Sequence, residues 1–175
     1  SIFCSSVSFM PCSFRIASKT TYEDTFARVM FLKDVIENKD GYKVFYDGGL
    51  PLRREVDLQL FFRLTWFASV SDVNREVDNG RGPVDYKVSY GSKDATLVEF
   101  KLASNSQLKR NLERQVEIYE KASDATNPSI KVILYFSESE LNKTNAILKE
   151  LKLQDNKNIV LIDARKDNKP SASKA

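Results

Sequence analysis

An α/β fold with a central mixed sheet flanked by helices is predicted by three observations. Segments with strand-like alternation and segments with 3.6-residue periodicity follow one another in the order helix, three strands, helix, strand. One segment, SIKVILYF at 129–136, is almost continuously apolar, as expected of a strand covered on both faces. A chain of 175 residues with 42% hydrophobic content is long enough to bury a core as one domain.

The elements follow in chain order. Residues 1–20 alternate polar and apolar side chains without a basic leading region, which argues against a signal peptide. They are expected to be an N-terminal extension, or a strand belonging to a region that precedes this one. The main domain is expected over 21–166. It begins with an amphipathic helix at 22–37, YEDTFARVMFLKDVIE, with Phe26, Val29, Met30, Leu32 and Ile36 placed for burial. A helix over 53–67 and a strand over 72–78 come next. Residues 83–90 and 95–103 then form a hairpin around the turn signals Gly91, Ser92 and Asp94. The helix at 106–122 lines up Leu108, Leu112, Gln115, Val116 and Tyr119 on one stripe, where a glutamine calls for a polar neighbour. After the apolar strand, SESELNKTNAILKELKL carries a serine cap signal and helical periodicity, and NIVLIDAR reads as a further strand. The polar tail, 167–175, is expected to be mobile.

Within the hairpin, residues two apart on a strand share a face, so Glu99 and Lys101 point one way while Val98, Phe100 and Leu102 point the other. A turn centred on 92–93 with even register puts Asp85 across from Glu99 or Lys101 on that same face, whereas a slip of one residue would move it away.

An acid on one strand followed by acid, any residue and lysine on the next resembles the pattern of the PD-(D/E)XK nuclease superfamily, over roughly residues 53–137. Gln115 and Tyr119, as Gln-x-x-x-Tyr, resemble the additional motif of its RecB-like branch. Glu55 stands near the start of the 53–67 helix, where several members carry a further acid. The resemblance implies a restriction-endonuclease-like core and a Mg²⁺-dependent nuclease, with Mn²⁺ as substitute, acting as an endonuclease on DNA in a restriction or phage-defence setting. By the same resemblance Asp85, Glu99, Glu55 and the Phe100 carbonyl hold the metal, and Lys101 acts on the attacking water. Gln115 supports the site and Tyr119 backs it toward substrate, while Arg81 in its glycine-rich GRGP setting and Lys109 and Arg114 in the basic rim are expected, on charge and placement, to meet phosphate. A second copy, or other domains of a defence assembly, are the expected protein partners. Two alternatives stand beside this one: a non-cleaving nucleic-acid-binding or assembly module with the same fold, and an RNA-cleaving relative.

The chemistry explains why such residues are wanted. Phosphodiester hydrolysis needs a hydroxide equivalent near neutral pH and compensation for charge building on phosphorus, and a divalent cation serves both needs. Magnesium takes oxygen ligands and only one or two carboxylates from a protein. A lysine beside the water supplies acid–base function and positive charge. Bland readings exist too. An acid in a first helical turn, as at Glu55, is favoured by the helix dipole whether or not metal is near. Lys109 and Arg110 are equally suited to a solvated helix face paired with glutamates.

Composition removes several classes. With no histidine, imidazole-dependent nucleases, serine and cysteine triads and two-histidine metal sites are excluded. Cys4 and Cys12 both fall in the first dozen residues, so they cannot staple the motif region, and a reducing, cytoplasmic setting is expected. The net charge of +3 is mild, yet arginines and lysines concentrate around the motif, enough for a local phosphate-binding rim. No stretch approaches the ~20 apolar residues of a membrane span.

Overall fold

The computed structural model describes residues 20–78, 83–121 and 129–169, without the side chains of 76–78, 83 and 115–121. The expected N-terminal extension up to residue 19, Arg81 with its neighbouring glycines, the side chains of Gln115 and Tyr119, and the tail beyond 169 lie outside the described residues. Helix α1 spans Thr21–Asn38. Its start is a capping box: the Thr20 hydroxyl accepts from Glu23 N–H while the Glu23 carboxylate accepts from Thr20 N–H. Asp94 then ties that end to the sheet, accepting from Thr21 N–H at 2.9 Å and from its hydroxyl at 2.6 Å. A carboxylate at a helix N-terminus is also favoured by the helix dipole.

Between α1 and the next helix lie elements that the sequence reading does not contain. The chain reverses through Asp40, in the left-handed region at φ 62°, into a 3₁₀ turn at Gly41–Phe45. Strands β1 (Tyr46–Asp47) and β2 (Leu50–Pro51) then form a small hairpin around Gly48 and Gly49, both at positive φ as a two-residue hairpin turn requires. Helix α2 covers Glu55–Leu64, shorter at both ends than the expected 53–67. It stops where the Thr65 hydroxyl donates to the Phe62 carbonyl and Ala68 turns left-handed.

Strand β4 (Pro83–Tyr90) runs antiparallel to both β3 (Asp72–Asp78) and β5 (Asp94–Leu102), which flank it. Helix α3 (Leu108–Lys121) leads to β6 (Ser129–Tyr135), and α4 (Glu138–Glu150) leads to β7 (Ile159–Asp163). The five strands stand in the order β3-β4-β5-β6-β7, with β5, β6 and β7 parallel, so the sheet is mixed. Ser137 caps α4 by accepting from Glu140 N–H, as its serine signal predicts.

The helices cover the sheet from two sides. On one face, Val29, Leu32 and Ile36 of α1 and Leu58 and Phe62 of α2 pack on Tyr86, Val98, Phe100, Val132 and Ile162. On the other, Leu108 and Leu112 of α3 and Ile147 and Leu148 of α4 pack on Ile133 and Tyr135. Phe62 organises the first layer, with ring centroids 5.1 Å from Phe100, 5.5 Å from Tyr86 and 5.8 Å from Trp66. An α/β domain with a five-stranded mixed sheet between helical layers therefore answers the predicted fold class. Among the described residues no helix is long and apolar enough to cross a membrane.

Candidate functional site

The alternation of β5 creates the site. Val98, Phe100 and Leu102 are drawn into the α1/α2 core, which turns Glu99 and Lys101 to the opposite face. Strand β4 is aligned by the pairs Tyr90–Asp94 through Tyr86–Val98, and Asp85 comes one step later, beyond the last of these pairs. There its side chain takes over from the ladder: Asp85 Oδ2 accepts the Phe100 N–H at 2.6 Å. Tyr86 and Val88 face the α1/α2 core, so Asp85 lies on the face that carries Glu99 and Lys101.

Glu55, in the first turn of α2, reaches the C-terminal end of β5. Its Oε1 accepts from Leu102 N–H and from the Asn105 side-chain amide, both at 3.3 Å, and its Oε2 lies 3.7 Å from Lys101 Nζ. The acid from the 53–67 helix and the Glu-x-Lys strand are thereby brought together. Glu99, however, finds its cation elsewhere. Lys131 of β6 stands in register with Glu99 across the parallel β5–β6 pair, and its Nζ donates to Glu99 Oε2 at 2.6 Å. Sequence reasoning missed Lys131. The signal was a lysine between Ile130 and Val132 in an otherwise apolar strand, and the structure buries its side chain to 4% exposure.

These charges act on one another. Burial pushes the Asp85 carboxyl above its ordinary value, the Phe100 N–H and Lys101 pull it back, and Glu99 and Glu55 raise it again, leaving it raised. Burial holds the Lys131 ammonium below its ordinary value, because Glu99 offsets the desolvation only in part and Lys101 adds repulsion. The donors available are hard oxygens: Asp85 Oδ1 and Glu99 Oε1 accept no hydrogen bond from a described side chain, and the Phe100 carbonyl lies between Glu99 and Lys101 in sequence. That donor chemistry fits a magnesium-like ion taking one or two carboxylates. Among the described residues no three acid, cysteine or histidine side chains converge as a ready ligand group, and Glu55 is engaged by Leu102 N–H and Asn105.

The expected substrate residues divide. Lys109 is held by Glu150 at 2.6 Å and by Glu113 at 3.9 Å, as the solvated-face reading anticipates. Arg114 is exposed on α3, the helix that follows the site strand. A second charged cluster closes the C-terminal end of β7, where Asp163 accepts from Arg165, Asn168 and Lys169.

Residues 21–138 match the family described as a domain of unknown function, DUF8371, and the chain belongs to that family. No curated protein matches the chain.

Proposed function

We propose that this member of the DUF8371 family is a divalent-metal-dependent nuclease of the PD-(D/E)XK kind, built on a restriction-endonuclease-like core and acting on DNA in a restriction or phage-defence setting in the cytoplasm. The observation that carries the reading is the presentation of Asp85 from β4 with Glu99 and Lys101 from β5 on one face, where the Asp85 side chain replaces the backbone ladder at Phe100. The order α2, three antiparallel strands, α3 and a parallel strand agrees with it.

Asp85 and Glu99, with the Phe100 carbonyl, would hold Mg²⁺ or Mn²⁺. When bound, such an ion lowers the pKa of a coordinated water and offsets charge developing on a phosphoryl oxygen. The chain's own residues do the rest. Asp85, fixed by the Phe100 N–H, presents its remaining oxygen in one orientation. Lys101, steadied by Glu55 at 3.7 Å, carries its ammonium to where it can orient a water and stabilise negative charge on the scissile phosphate. Arg114, exposed on α3, is placed for a phosphate.

The test is incubation of the purified protein with circular DNA, linear DNA and RNA, with Mg²⁺, with Mn²⁺ and with chelator. Metal-dependent loss of circular DNA that disappears in Lys101→Ala supports the reading. Loss of RNA alone would move the substrate. A second reading, a non-cleaving binding or assembly module, is favoured by the ion pair that occupies Glu99. It predicts DNA binding with every metal and cleavage with none.

A further inference from the structure

We propose that Lys131 is a counter-cation built into the acidic site, so that the site takes one divalent ion and not two. This inference rests on the metal-dependent reading above and deepens it. Lysine is a poor choice for the middle of a buried strand: its ammonium must leave water, and replacing a buried ion pair as a whole by apolar residues is often neutral or stabilising. Its neighbours Ile130, Val132 and Ile133 are all fully buried. A side chain kept there at that cost is explained by the charge it brings. Register settles where the charge goes, because Glu99 and Lys131 are direct partners across β5 and β6 and their Nζ and Oε2 stand 2.6 Å apart.

The charge count then limits the metal. Glu55, Asp85 and Glu99 contribute −3 and Lys101 and Lys131 contribute +2, a sum of −1. One divalent ion brings that to +1, which a single phosphodiester neutralises; two bring it to +3. Geometry points the same way. A second ion about 3.5–4 Å from the first is favoured by a carboxylate whose two oxygens are both free to bridge the pair. None of the three acids offers that. Glu99 Oε2 is on Lys131, Asp85 Oδ2 is on the Phe100 N–H, and Glu55 spends Oε1 on Leu102 N–H and turns Oε2 to Lys101. Lys131 therefore already occupies the Glu99 oxygen that a further cation on the β6 side would need.

Calorimetric titration with Mn²⁺ and with Mg²⁺, beside melting temperatures, tests this on the full chain, Lys131→Met and Lys131→Arg. The parent and Lys131→Arg are expected to take one ion each. Lys131→Met is expected to bind Mn²⁺ at least tenfold more tightly or to take a second ion. Two ions in the parent overturn the proposal, and so does a folded Lys131→Met with the parent's count and affinity or with weaker binding. Should Lys131→Met fail to fold, the counts for the parent and Lys131→Arg decide. Absence of binding in every protein, with folding intact, would instead sink the metal-dependent reading on which this rests.

Discussion

Lys101 and Asp85 differ in what their loss removes. Lys101→Ala takes away the group that acts on water, while Glu55 keeps its hydrogen bonds to Leu102 N–H and Asn105, so the fold should survive. We expect unchanged metal binding by calorimetry and cleavage slower by ~10² to 10⁴. Full activity in that variant would defeat the assigned role. Asp85→Ala should lose metal affinity together with cleavage, and an unchanged calorimetric trace would place the ligand elsewhere.

Asp163 allows a stability prediction away from the site. Burial by itself would raise its carboxyl, but the Arg165 guanidinium and N–H, Asn168 and Lys169 outweigh burial and hold it well below the usual carboxylate range. Burial and Asp163 together push the Tyr135 phenol up to about 12, so it stays protonated beside that carboxylate. A pKa depressed in the fold contributes stability above the unfolded value of about 3.9, and that contribution is lost as pH falls toward the folded value. Asp163→Asn should therefore be less stable than the parent at pH 7, by about 1–2 kcal/mol, because solvent screens part of the cluster and Arg165 keeps Glu138 as a partner. The gap should close as pH drops below about 4. Urea unfolding at several pH values measures it, and a pH-independent gap would mean that Asp163 acts through packing alone.

At the scale of elements, the reversal after α1 places the hairpin and α2, and so Glu55. Gly41 packs so closely that a Cβ there would lie 2.6 Å from the Val35 carbonyl oxygen, a contact with backbone and not with a movable side chain. Gly41→Ala should therefore cost about 1–3 kcal/mol, the usual penalty for overpacking, read as a lower denaturation midpoint. A neutral result would show that the α1 end can shift. Should Lys101 lose its 3.7 Å contact to Glu55 at the same time, cleavage will fall further than stability does.

Across the whole molecule, the net charge of +3 conceals how few cations face outward unpaired near the site. Arg53 is paired with Glu140, and Lys109 with Glu150 and Glu113, while Arg110 and Arg114 stand exposed on α3. Each neutralised phosphate on duplex DNA contributes about −0.9 to the slope of log affinity against log salt, so engagement of roughly two or three gives a slope of about −2 to −3. Binding measured with Ca²⁺ in place of Mg²⁺ should show it, and Arg114→Ala should reduce its magnitude by about one. A slope near zero would remove nucleic acid as the partner.

What the amino-acid order determined alone is local: the strand spans 72–78 and 83–90 coincide with those observed, and the α1, α3 and α4 expectations differ from the structure by a few residues at their ends. The shared face of Glu99 and Lys101 follows from the two-residue period of a strand, and the Asp85 side from an even hairpin register, both set within about twenty residues of chain. Which acid meets which base was decided by tertiary structure. Glu99 and Lys101 look like one pair in sequence. The fold separates them, giving Glu99 to Lys131 across a parallel strand pair and Lys101 to Glu55 from a preceding helix. Periodicity says which way a side chain points, but an ion pair needs two side chains from distant segments within a few ångströms. That distance is set by sheet order, register and helix packing, none of which is a local property of either segment.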